Sequence, residues 1–228
     1  MRVKPRFIET LFLGVGVIAP MLPAVFAQAD ELPVGQLRVL AGFKIELLAR
    51  VPNAREMALG DHVLYVGSMQ EGKVVAVRLD DEYRAVGQHT VATGLTRPSG
   101  VAYRQGSLYV AEVSRVLRFD DMDRHLETPL APKIVRDDLP RETAHGWKFI
   151  AFGPDGWLYV PVGAPCNVCE SDDRHGAIFR MKPDGSELQA FVRGVRNSVG
   201  FDWDPATHEL WFTENGRDMM GDDVPATS

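Results

Sequence analysis

One pattern recurs along this chain and limits what it can fold into. Four times an apolar run meets a tight turn and continues as a short aliphatic–aromatic run: Val63–Val66, Leu108–Val110, Leu158–Val160 and Leu210–Phe212. Leu64, Leu108, Leu158 and Leu210 are about 44, 50 and 52 residues apart, close to the roughly 40–50-residue period of propeller blades. Each second run has a partner upstream: Ala54–Leu59, Gly100–Tyr103, Trp147–Phe152 and Val199–Trp203. Between the partners stand Gly60-Asp61, Gln105-Gly106, Gly153-Pro154-Asp155-Gly156 and Asp204-Pro205-Ala206, residues that accept turn geometry at little steric cost. Downstream, Lys73–Leu79, Arg115–Phe119 and Ala177–Met181 alternate as half-exposed strands do. No stretch keeps a helical period over three turns. Regular short strands with turn signals predict an all-β chain, and the repeat length favours a β-propeller over a sandwich.

The repeat counts three blades and roughly half of a fourth, about three and a half in all. A propeller closes on itself to remove exposed strand edges. The expectation is therefore a partial β-propeller over residues 30–228, truncated at its C-terminus, with Asp222 to Ser228 following the second strand of the fourth blade. Residues 1–29 read differently. Arg2, Lys4 and Arg6 precede the apolar run Phe12–Phe26, and Ala27-Gln28-Ala29 offers a cleavage site after Ala27 or Ala29. Pro20 and Pro23 suit a secretory signal better than a membrane span, while Glu9 departs from the pattern and leaves an uncleaved anchor as the alternative. No other segment is long or apolar enough to cross a bilayer. The mature chain is expected to work outside the cytoplasm, in the periplasm. Its formal charge of −6 and the lack of a Lys/Arg-rich run exclude nucleic acid as an expected partner.

The hairpin His145–Cys169, HGWKFIAFGPDGWLYVPVGAPCNVC, carries the most chemistry. In an antiparallel hairpin the start of one strand and the end of the next share an edge. His145 and the loop Gly163–Cys169 are therefore expected on one face. Cys166 and Cys169 are the only cysteines. A c-type haem site would need His where Glu170 stands, and a zinc site would need further ligands where only His175 is close in sequence. A thioredoxin-type motif would open a helix in a βαβ unit. In an oxidising compartment a local disulfide stiffening the loop is expected. Across the repeat, Arg97-Pro98-Ser99, His145-Gly146 and Arg196-Asn197-Ser198 occupy matching places before first strands. The loops after second strands, including Ala111-Glu112-Val113, Val162–Cys169 and Glu214–Asp223, converge on the same mouth, where loops on a rigid scaffold usually carry binding groups.

Three motifs, the His145 hairpin, GVRNSVGFDW and LWFTENGRDMMGDD, resemble the soluble pyrroloquinoline-quinone (PQQ) glucose/sorbosone dehydrogenases. The likeness runs from about residue 36 to the end and is nearest the L-sorbosone dehydrogenase branch. It implies a six-bladed propeller binding PQQ and Ca²⁺ at the mouth of its axis. Under the resemblance His145 is the general base, a role that suits neutral imidazole near pH 7. Arg196 resembles the arginine beside the quinone carbonyls, where fixed positive charge steadies developing negative charge. Asn197 and Asn215 resemble cofactor-contacting amides. The backbone carbonyls of Gly216 and Arg217 match those ligating the cofactor-bound Ca²⁺, a cation that takes carbonyl oxygen readily and acts as a Lewis acid. Asp222 and Asp223 resemble an acidic pair bracing that loop. Ala144 departs from the pattern, because glucose-oxidising relatives orient the histidine with an aspartate at that place. Cationic residues that grip the PQQ carboxylates would fall in later blades.

The expected function is a periplasmic quinoprotein dehydrogenase oxidising a sugar or sugar aldehyde, passing electrons to a cytochrome or quinone pool. The 228-residue stretch by itself is expected to be inactive. Two alternatives come from other classes. A metal-dependent lactonase propeller would use side chains such as Glu112 and Asn215, and an NHL-like propeller would bind a partner without catalysis.

Overall fold

The computed structural model describes residues 34–129, 131–219 and 221. The expected signal segment 1–29 and the pair Asp222-Asp223 lie outside the described residues. The chain divides into a unit up to Glu46 and a second from Leu47 onward. The first contributes a 3₁₀ turn at Val34–Gln36.

The second unit is all-β and builds three four-stranded antiparallel sheets and one two-stranded sheet, each a meander in sequence order. Blade 1 holds β1 (Ala54–Leu59), β2 (Val63–Ser68), β3 (Val74–Leu79) and β4 (Ala85–Ala92). Blade 2 holds β5 (Gly100–Arg104), β6 (Ser107–Ala111), β7 (Val116–Phe119) and β8 (Lys133–Arg136), with a 3₁₀ turn at Met122–Arg124. Blade 3 holds β9 (Ala151–Phe152), β10 (Leu158–Val162), β11 (Ala177–Met181) and β12 (Gln189–Arg193). The hairpin of β13 (Phe201–Trp203) and β14 (Leu210–Phe212) follows. This is a partial β-propeller of three blades and two strands of a fourth.

Side chains of a strand alternate between its two faces, and here each face meets a different blade. In β6, Leu108 and Val110 join Tyr65, Val74 and Ala76 of blade 1, while Tyr109 and Ala111 join Ile150, Leu158 and Val160 of blade 3. In β10, Leu158 and Val160 face blade 2 whereas Tyr159 packs with Phe201 and Trp203. Both faces of an inner strand are therefore apolar, and each such side chain contributes about 1.5–3 kcal/mol by leaving water. Trp211, on β14, is 69% exposed.

At the turn end of blades 1 and 2, Asp123 accepts hydrogen bonds from the Tyr65 and Tyr103 hydroxyls. Burial first, then the Asp123 carboxylate, pushes Tyr65 up, and the same neighbours help push Tyr103 to about 12.

Two expected strands are shorter than their apolar patterns. Only Ala151–Phe152 of Trp147–Phe152, and only Phe201–Trp203 of Val199–Trp203, lie in ladders. The Lys148 amide donates to Ser99 Oγ at 3.2 Å, and that hydroxyl donates to the Lys148 carbonyl at 3.1 Å. Ser99 belongs to the approach to β5, so this stretch bonds to the neighbouring blade instead of to β10. A Cβ on Gly100 would stand 2.2 Å from the same Lys148 carbonyl, and only glycine permits that approach.

Candidate functional site

Strand register places the mouth residues in equivalent positions. Phe152 pairs with Leu158, Trp203 with Leu210 and Tyr103 with Leu108. Seven residues upstream of each first-strand partner stand His145, Arg196 and Thr96. Four residues downstream of each second-strand partner stand Val162, Glu214 and Glu112. In blade 2 Glu112 Oε1 accepts the Thr96 amide at 2.5 Å, and in the last hairpin Glu214 Oε1 accepts the Arg196 amide at 3.0 Å. The same carboxylate-to-amide tie thus anchors two of the three mouth positions. Glu112 gives its other oxygen to Arg115.

His145 has left-handed backbone geometry, φ +50°, and is half-buried. Its Nδ1 lies 2.8 Å from the Ala164 carbonyl oxygen. A carbonyl can only accept, so Nδ1 carries a proton, and in the neutral ring the lone pair is on Nε2. This backbone oxygen orients the ring, where the side chain of Ala144 offers no acceptor. Gly163 makes the approach possible: a Cβ there would be 2.6 Å from the His145 Cβ and 3.2 Å from the Arg196 carbonyl. The Ala164 amide closes the set by donating to that Arg196 carbonyl at 2.7 Å.

Arg196 is held on several sides. Nε donates to the Asn167 carbonyl at 3.3 Å, Nη2 to Asn167 Oδ1 at 2.6 Å and to Asp218 Oδ2 at 3.4 Å, and Nη1 to the Asn215 carbonyl at 2.9 Å. Of five guanidinium protons, one on Nη1 has no partner among the described residues. Asn167 sits inside the Cys166–Cys169 disulfide, whose Cα atoms are 5.9 Å apart. The CxxC spacing marks the loop as a staple but does not show what its middle residues reach, so Asn167 carries no signal in the sequence.

Asn197 is buried, and its side chain makes no hydrogen bond to a described residue. Its carbonyl accepts the Asn215 amide at 3.1 Å. Asn215 and Arg217 are exposed and Gly216 is half-buried. The Gly216 and Arg217 carbonyls accept no hydrogen bond from a described residue and keep lone pairs for a hard cation. Glu214 Oε2 is buried without a partner among the described residues, and burial raises that carboxyl. No cluster of three or more His, Cys, Asp or Glu suited to a metal occurs among the described residues, so a cation here would rest on carbonyls and on groups it brings with it. The two carbonyls are of the donor type that Ca²⁺ accepts.

Two further groups lie close by. Lys148 Nζ donates to the Gly146 carbonyl at 3.0 Å while the side chain is 1% exposed. Burial lowers this amine to about 8 against the opposing pull of Glu142. His175 bridges Asp172, 2.6 Å from Nδ1, and Glu142, 3.3 Å from Nε2, joining the CxxC loop to the segment that carries His145. A cleft of about 400 Å³ lies beside Arg196, lined by Asn167, Arg217, Asp172 and His175 among others. His145 is not one of its lining residues.

A family model described as glucose/sorbosone dehydrogenase matches residues 111–226, just over half of the chain. The chain belongs to the glucose/sorbosone dehydrogenase family. An uncharacterized protein of Borreliella burgdorferi is 26% identical over 241 residues, covering 97% of this chain and 60% of that protein. Among solved structures, the PQQ-bound aldose sugar dehydrogenase of Streptomyces coelicolor matches with TM-score 0.59 and 23% identity, over 76% of this chain and 60% of that one. The PQQ domain of Coprinopsis cinerea pyranose dehydrogenase matches with TM-score 0.62 and 14% identity, over 73% and 44%. These likenesses establish the propeller fold. This member of the family spans 60% of the curated relative and 44–60% of these two structures.

Proposed function

We propose that the protein is a PQQ- and Ca²⁺-dependent dehydrogenase of the sorbosone-like branch, acting in the periplasm on a sugar or sugar aldehyde. The observation that carries this reading is the His145–Ala164 hydrogen bond, which in the neutral imidazole puts the proton on Nδ1 and the lone pair on Nε2. PQQ, polarised by Ca²⁺, would supply the two-electron acceptor for the hydrogen leaving the substrate carbon. His145 Nε2 would take the proton of the substrate hydroxyl, or of an aldehyde's hydrate, while Nδ1 holds the ring against Ala164. Arg196 would offer its remaining Nη1 proton and its positive charge to negative charge developing on the cofactor. Asn197 and Asn215 would contact the cofactor through their amides, and the Gly216 and Arg217 carbonyls would hold the cation. The later electron acceptor would be a cytochrome or the quinone pool.

The test is dye reduction by the full-length protein loaded with PQQ and Ca²⁺, offered glucose, sorbosone and a lactone. Cofactor-dependent dye reduction with a sugar or aldehyde is expected. Lactone hydrolysis without dye reduction would overturn the reading.

A further inference from the structure

Asn167 makes more polar contacts than any sequence pattern assigns to it. Oδ1 accepts from Arg196 Nη2 at 2.6 Å and from the Asp218 amide at 2.9 Å. Nδ2 donates to the Asp218 carbonyl at 3.2 Å. Its own carbonyl accepts from Arg196 Nε at 3.3 Å. One residue therefore grips the arginine by two of its nitrogens and pairs with both backbone groups of Asp218. An amide side chain is required for this, since it alone offers an acceptor with two lone pairs and a donor on one planar group. Aspartate lacks the donor, and a serine hydroxyl cannot span both.

The grip joins three separate pieces of chain. Asn167 lies in the loop after β10, Arg196 precedes β13, and Asp218 follows the loop containing Gly216 and Arg217. The disulfide on either side of Asn167 restricts the backbone from which it reaches. Held this way, the Arg196 side chain is only 10% exposed, and a flexible cation becomes a fixed one. A preorganised charge does not need reorienting when charge develops in front of it.

We infer that Asn167 is the positioning residue for Arg196, fixing its guanidinium at the cofactor mouth. This rests on the reading of the mouth as a PQQ site. Asn167 acts through Arg196 and not on substrate, so its effect disappears when Arg196 is absent.

The experiment is a double-mutant cycle of Asn167→Ala and Arg196→Ala in the full-length protein. PQQ affinity is measured by absorbance titration in the presence of Ca²⁺, and turnover is expressed per bound PQQ. Loss of one charge-assisted hydrogen bond corresponds to about a tenfold to hundredfold change. Asn167→Ala is expected to weaken PQQ binding or lower turnover by that factor while the melting temperature stays close to that of the unmodified protein. Adding it to Arg196→Ala is expected to change neither readout further. Additive effects, or an Asn167→Ala protein indistinguishable from the unmodified one, overturn the inference. Failure of the unmodified protein to bind PQQ overturns the site reading and the inference with it, an outcome separate from the first two.

Discussion

The His145 imidazole is oriented by a backbone oxygen, the Ala164 carbonyl 2.8 Å from its Nδ1, and not by a carboxylate. A carbonyl adds no charge, so it fixes the tautomer without turning the ring into half of an ion pair. Replacing the imidazole therefore removes the proposed proton acceptor and little else.

His145→Ala is expected to lower turnover about 10²–10⁴-fold, the usual worth of a positioned general base. PQQ affinity is expected to be unchanged in a parallel titration. Turnover within a few fold of the unmodified protein would remove the assignment of His145 as base.

Gly163→Ala tests the close approach that brings the two mouth residues together. The new Cβ would sit 2.6 Å from the His145 Cβ, with the Arg196 and His145 carbonyls each at 3.2 Å. Overpacking of this kind costs about 1–3 kcal/mol. Denaturant unfolding is expected to show that loss, and turnover should fall more steeply than stability because His145 is the atom group displaced. An unchanged midpoint and unchanged turnover would mean that the loop yields freely.

Lys148 gives the fold a pH dependence on the alkaline side. Its folded pKa, about 8, lies below the ordinary lysine value of 10.5. Between those values the unfolded state binds more protons, so stability rises with pH across that window. Below pH 8 the burial penalty is fully present, about 3 kcal/mol. Lys148→Met is expected to raise stability at pH 7 by up to about 2 kcal/mol, after loss of the bond to Gly146 worth about 1 kcal/mol. It should also flatten the rise between pH 8 and 10.5. Urea midpoints measured across that range check this, and a rise that persists in Lys148→Met would assign it elsewhere.

Asp123→Ala probes the opposite end of the blades. It strands two tyrosine hydroxyls, Tyr65 and Tyr103, that share one carboxylate. Unpaired buried polar groups cost about 1–3 kcal/mol. A drop of that size in thermal stability is expected, with turnover per folded molecule unaltered. A stability loss well under that range would show that water replaces the carboxylate there.

The architecture was legible in the chain because period, alternation and turn residues are local properties. Leu64, Leu108, Leu158 and Leu210 all lie on second strands, as their spacing indicates. The fourth strands Ala85–Ala92, Lys133–Arg136 and Gln189–Arg193 are not legible in the sequence, since exposed Val86, Ile134 and Phe191 break the apolar–polar alternation that would mark a solvent face. That His145 and Arg196 share one position of the repeat also follows from counting along the strands. What holds them does not. The tautomer of His145 depends on the Ala164 carbonyl 19 residues away, and the setting of Arg196 on Asn167 29 residues away. Such contacts are decided by how closely one blade packs on the next, at Gly100 and Gly163, to within a few tenths of an ångström. A one-dimensional pattern of apolar and polar residues does not encode distances on that scale, and only the folded sheets set them.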